Sequence, residues 1–70
     1  MIIQRRKYDY YKIIQQHFDT YGWEDVSYYE AKSTGYVSKE TKALIKHDLY
    51  EYARMGHPVR VIFRKEKKDE

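Results

Sequence analysis

The residues of this chain best equipped for chemistry are few and scattered. Glu24 and Asp25 are adjacent carboxylates, and a close carboxylate pair is common apparatus for general acid–base catalysis. They fall in a segment that reads as a β-strand, where neighbouring side chains leave opposite faces, so they cannot act as a pair. His17, His47 and His57 are placed on a strand, an outer helix face and a loop. None has the i, i+4 spacing with which a helix grips a metal, so no metal site is predicted. Ser27, Ser33 and Ser38 carry no local signature of an activated nucleophile, and neither a Gly-rich phosphate loop nor a cysteine is present. A chain of 70 residues also has little depth for a water-excluding pocket. The expectation is a protein that is not an enzyme and uses no cofactor.

Binding offers better candidates. Tyr21, Trp23, Glu24 and Asp25 cluster at a turn. Trp and Tyr are over-represented among residues that dominate binding energy, and flanking carboxylates suit a basic partner surface. The competing explanation is that Trp23 covers the end of a sheet while the acids keep an edge soluble. Tyr50 and Arg54, with Ala43 and His47, form an outer helix face that could enter a groove or be merely solvated. Arg60 and Arg64 lie on the closing strand.

A rival reading is nucleic-acid binding. It takes Arg5, Arg6, Lys7, Lys12, Arg60 and Arg64 for the phosphates, with Tyr10 (or Tyr8 or Phe63) for base stacking. The deciding feature is spatial: an uninterrupted basic strip beside exposed rings favours it, and a carboxylate dividing the strip disfavours it.

The elements that must position these residues follow from pattern. Tyr8–Phe18 (YDYYKIIQQHF) is aromatic and β-branched without Gly or Pro, and reads as a strand. Tyr11, Ile13 and Gln15 fall on one side and Tyr10, Lys12, Ile14, Gln16 and Phe18 on the other. Apolar groups on both sides indicate a central strand or a functional second face. Asp19 to Gly22 is turn chemistry, and Trp23–Glu30 returns as a strand with Val26 and Tyr28 opposing Trp23, Asp25 and Ser27. Lys32–Val37, centred on Gly35, is a polar connection. Ser38 is the expected N-cap of a helix running to Met55. Its inner face is Thr41, Ile45, Leu49, Tyr52 and Ala53, widened by Leu44 and Met55. Gly56 and Pro58 stop it. Val59–Lys65 alternates Val59, Val61 and Phe63 against Arg60, Ile62 and Arg64, a third strand.

The fold class is therefore α+β, in the order β-β-α-β: a three-stranded antiparallel or mixed sheet with one helix on one face. It is a single domain over residues 1–70, with segments 1–7 and 66–70 expected to be flexible. Nothing remains to build a second layer, so the far face of the sheet is expected to stay open. Tyr10, Lys12, Ile14, Trp23, Arg60, Ile62 and Arg64 are expected there.

Composition agrees. Nine Tyr, two Phe and one Trp supply large buried area per residue in a chain too short for a big core. Zero Cys excludes disulfide staples and suits a reducing cytoplasm. The apolar start Ile2-Ile3 precedes Arg5-Arg6-Lys7, the reverse of a secretory signal, and no apolar run is long enough to span a membrane. The formal net charge is +3, yet the stretch from Ile13 to Ala31 holds Asp19, Glu24, Asp25 and Glu30 and no Lys or Arg. That acidic middle argues against a uniform nucleic-acid footprint. It also permits acidic-to-basic self-pairing, so the expected state is a monomer or weak homodimer.

The segments YYKIIQQHF, YGWEDVSYYE, HDLYEYAR and HPVRVIFRK resemble short, largely uncharacterised proteins encoded by bacteriophages and mobile elements of Gram-positive bacteria. The resemblance covers most of the chain, and Tyr21-Gly22-Trp23-Glu24-Asp25-Val26 is its most specific part. It implies expression in a bacterial cytoplasm and, as for many small phage products, a role in inhibiting or redirecting a host protein complex by occlusion or as an adaptor. On this reading the partner is a host bacterial protein. Nucleic acid is the second choice, and no membrane is involved.

Overall fold

The computed structural model describes residues 8–67. β1 (Tyr8–Phe18), β2 (Gly22–Ala31), α1 (Lys39–Ala53) and β3 (Val59–Lys67) follow in that order. The sheet runs β2-β1-β3. Both outer strands are antiparallel to β1, so β2 and β3 run parallel to one another and α1 crosses over β1 to join them. The long, β-branched β1 is thus the central strand, which accounts for its apolar residues on both faces.

Local chemistry sets the boundaries. In the β1–β2 hairpin the Tyr21 N–H donates to the Phe18 carbonyl at 3.1 Å, and Gly22 takes a φ of 74° that side-chain-bearing residues avoid. Ser38 is extended and its side-chain oxygen accepts from the Thr41 N–H at 3.2 Å, an N-cap. α1 ends at Ala53 with Arg54 as its C-cap, two residues before the expected Met55. Gly56 follows at φ 87°, and Pro58 prevents continuation.

Ile14, Val37 and Ile45 form the core between α1 and the sheet, with Val26, Tyr29, Ala31, Leu49 and Tyr52 packed against them. Ile14 is therefore on the helix face, and with it, by the alternation of β1, Tyr10 and Lys12. These three were expected on the open face. The outward strand side is instead that of Tyr11, Ile13, Gln15 and His17. Sequence could not decide between Ile13 and Ile14 because both are isoleucines, and in the structure both are buried, at 0% and 1% exposure. Ile14 lies under the helix, and Ile13 lies between Tyr28 and Ile62 on the other face.

Further departures have physical causes. The β1–β2 register shifts between Ile14, opposite Ser27, and Gln15, opposite Asp25. Val26 is the extra residue of a bulge, and the bulge reverses the expected facing beyond it. Val26 and Ser27 both meet the helix side, while Tyr28 joins Trp23 and Asp25 on the open side. Leu44 and Met55, expected to widen the helix stripe, are exposed, as is Ala53. Val37, read as part of a polar connection, is buried. Glu66 and Lys67 continue β3 rather than fraying. Residues 1–7 and 68–70, including the candidate cations Arg5, Arg6 and Lys7, lie outside the described residues.

Candidate functional site

The face of the sheet opposite α1 carries a connected set of side chains spanning all three strands. Alternation on β3 sends Arg60, Ile62 and Arg64 to this face, as expected, and their partners on β1 are Gln15, Ile13 and Tyr11. Two long arginines then reach across the central strand. The Arg64 guanidinium donates to the two Asp25 carboxylate oxygens at 2.6 and 3.2 Å, a bidentate pairing that fixes orientation as well as charge. Arg60 donates through Nε to Gln15 Oε1 at 2.8 Å, and its guanidinium lies 4.1 Å from the centre of the Trp23 ring, a cation–π contact. His17 meets the same ring edge-on at 5.1 Å.

Gln15 joins the two halves. Its amide donates to Asp25 Oδ1 at 2.7 Å while its carbonyl takes the Arg60 proton, so both ends of this 6%-exposed side chain are satisfied. Tyr28 adds a third donor to Asp25, at 3.0 Å, and packs edge-on against Tyr11. By register the Arg64–Asp25 bridge runs diagonally over Ile13. That explains how Ile13, on a face that carries no second layer among the described residues, is fully removed from water.

The electrostatics follow from this arrangement. Hydrogen bonding to Arg64, then to Gln15 and Tyr28, outweighs burial and lowers the Asp25 carboxyl from 3.8 to about 2. The same carboxylate raises Tyr28, to which it is hydrogen-bonded, and raises Arg64. At the other end of this face burial, followed by the carboxylates of Asp9, Glu66 and Glu30, raises Tyr11. Opposed strand positions thus gather acids around Tyr11.

The expected binding residues are only partly brought together. Trp23, Asp25, Arg60 and Arg64 form one constellation. Glu24 is exposed and pairs in register with Gln16 on the helix side, so the pleat separates it from Asp25 as the alternation argument required. Tyr21 is exposed on the turn; with Phe18, Glu24 and Val26 it borders a shallow depression at the hairpin end. Tyr50 and Arg54 are in cation–π contact at 5.8 Å on the outer face of α1, where Arg54 also pairs with Glu51. They are remote from the sheet face. Gln15 and Tyr28 were not singled out from sequence, and His17 was weighed only as a metal ligand. The signal that could have found them is their shared strand parity with Ile13, once Ile13 is assigned to the open face.

The basic strip expected of the rival reading is divided. Arg60 and Arg64 project from one face and Tyr10 and Lys12 from the other, and Asp25 sits across from Arg64. Among the described residues no group of three His, Asp or Glu could hold a metal ion, and no helix is long and apolar enough to cross a membrane.

Fold and site together define a small α+β protein with one helix-covered sheet face and one face bearing an ordered aromatic–arginine cluster. Set against protein families, curated proteins and solved structures, the chain matches none.

Proposed function

We propose that this protein is a non-enzymatic binding module that docks the open face of its sheet onto another protein, and that it serves as a phage-type accessory factor in a bacterial cytoplasm, occluding or redirecting a host complex. The observation that carries the reading is the Trp23–Arg60 stack, tied through Gln15 to the Asp25–Arg64 pair. Trp and Arg are the residue types most enriched among binding hot spots. Holding them in place before contact lowers the ordering cost of association. The phage-type bacterial setting is part of the proposal and rests on the sequences of the hairpin and closing strand.

Trp23 is the apolar anchor, Arg60 holds and flanks it, and Asp25 and Arg64 present charges of both signs that orient a partner. Affinity capture from bacterial lysate tests this. Wild-type protein is expected to recover a defined set of proteins that Trp23→Ala loses by at least about ten-fold, whereas Tyr50→Ala on the outer helix face recovers it unchanged. Equal recovery by wild type and Trp23→Ala would remove the anchor from the account.

A further inference from the structure

The helix side of the sheet is only partly covered. α1, at 15 residues, is about 22 Å long, while the 11 residues of β1 extend about 36 Å. Beyond the helix, and along its β3 flank, rings and lysines alternate. Tyr10 stacks on Phe63 with centroids 5.8 Å apart and planes within 9°. Lys12 Nζ lies 5.5 Å from the Phe63 centroid and Lys65 Nζ 4.4 Å from that of Tyr8. Beside them, Lys42 and Lys46 of α1 and Lys12 border a cleft of about 280 Å³ floored by Val37, Ile45, Leu49 and Val61.

Charge along the β3 flank of this side is unbalanced; Asp48, the helix acid that meets the sheet, is bonded to Tyr29 of β2 on the other flank. The alternation Lys65-Glu66-Lys67 resembles a solvated tail in sequence, yet β3 runs to Lys67 and sorts Lys65 and Lys67 to the helix side and Arg64 and Glu66 to the other. Among the described residues, every acid of the three strands except Glu24 likewise faces away from this surface, and Glu24 lies at its far end. The two ion pairs among the described residues both use arginine. The ammonium groups of Lys12 and Lys65 rest on ring faces instead of carboxylates, an arrangement an anion can readily displace. Phe63 remains 45% exposed.

We propose that this surface, made by Tyr10, Lys12, Phe63 and Lys65 with Lys42 and Lys46, binds single-stranded nucleic acid: phosphates on the lysines, bases on the rings and over the apolar cleft. Charge complementarity selects a polyanion, and the exposed Phe63 ring, with half-buried Tyr10 stacked beside it, selects unstacked bases over a duplex, whose bases are already stacked. The site is separate from the arginine cluster of the opposite face and does not depend on it.

The test is fluorescence anisotropy of a labelled oligothymidylate of about twenty nucleotides against salt, beside a duplex of the same length. Micromolar binding at about 50 mM salt is expected, with a log–log salt slope near −3, the value for four phosphate contacts on a single strand. The double variant Lys12→Gln/Lys46→Gln should bring the slope to about −1.5. Phe63→Ala should weaken binding about ten-fold at constant slope, and Arg54→Gln should change nothing; circular dichroism confirms that each variant is folded. Absence of binding at low salt overturns the proposal. So does tighter binding of duplex, or a folded Phe63→Ala variant with unchanged affinity.

Discussion

At the scale of single residues, Asp25 does the most for the open face, because it is the common acceptor for Arg64, Gln15 and Tyr28. Its carboxyl takes up a proton at about 2 in the folded protein against 3.8 without its partners. The unfolded chain therefore protonates first as pH falls. The stabilisation is complete above about pH 4 and is lost as pH drops through about 2. Solvent reaches both partners, with side chains 22% and 34% exposed, so screening brings the contribution down to about 1 kcal/mol. Urea titrations across this range should show Asp25→Asn less stable than wild type by about that amount at neutral pH, with the difference vanishing near pH 2. A constant difference at every pH would mean that Asp25 acts through packing rather than charge. Trp23 drew attention from residue type alone, but Gln15 did not. A glutamine next to Ile14 gives no hint that it links Arg60 to the Asp25–Arg64 pair until the register is known.

At the scale of elements, the helix is tied to the sheet by few contacts, and they are polar as well as apolar. The Tyr29 hydroxyl of β2 donates to Asp48 of α1. Gln16, 2% exposed, donates to the Tyr52 carbonyl at 3.0 Å, and the Tyr52 hydroxyl donates to the Val26 carbonyl at 3.3 Å. Hydrogen bonding to Asp48, then burial, raises the Tyr29 phenol to about 12. This tie is therefore whole below pH 10 and lost as pH rises through about 12. Removing it by Tyr29→Phe should cost about 1.5 kcal/mol, read by calorimetry as a fall in Tm of roughly 6–12 °C for a domain of this size. An unchanged Tm would show that apolar packing alone seats the helix. The elements themselves were readable because β-branched and aromatic runs are cleanly punctuated by Gly22, Gly35, Gly56 and Pro58. Their facing was not, because Ile13 and Ile14 are equally apolar and the bulge at Val26 has no residue-level signature. The alternating Lys and Glu at the end of β3 likewise imitated a solvated tail.

At the scale of the molecule, the described surface is large for its content. The radius of gyration is 14.4 Å, against about 10 Å for a compact domain of the size of the described residues 8–67, and the body measures 52 × 29 × 15 Å. One helix on one sheet cannot bury both faces, so the sheet becomes a two-sided plate with different chemistry on each side. One side bears Trp23 and two anchored arginines, and the other bears lysines against rings. The claim most in need of testing is that the face opposite α1 is where another protein docks. Photo-crosslinking from a single benzoylphenylalanine placed at Tyr28 on that face, or at Tyr50 on the outer helix, in bacterial cytoplasm tests it most directly. A discrete protein adduct from position 28 and none from position 50 is the predicted outcome. Adducts from position 50 alone would place the docking surface on the helix and contradict the account.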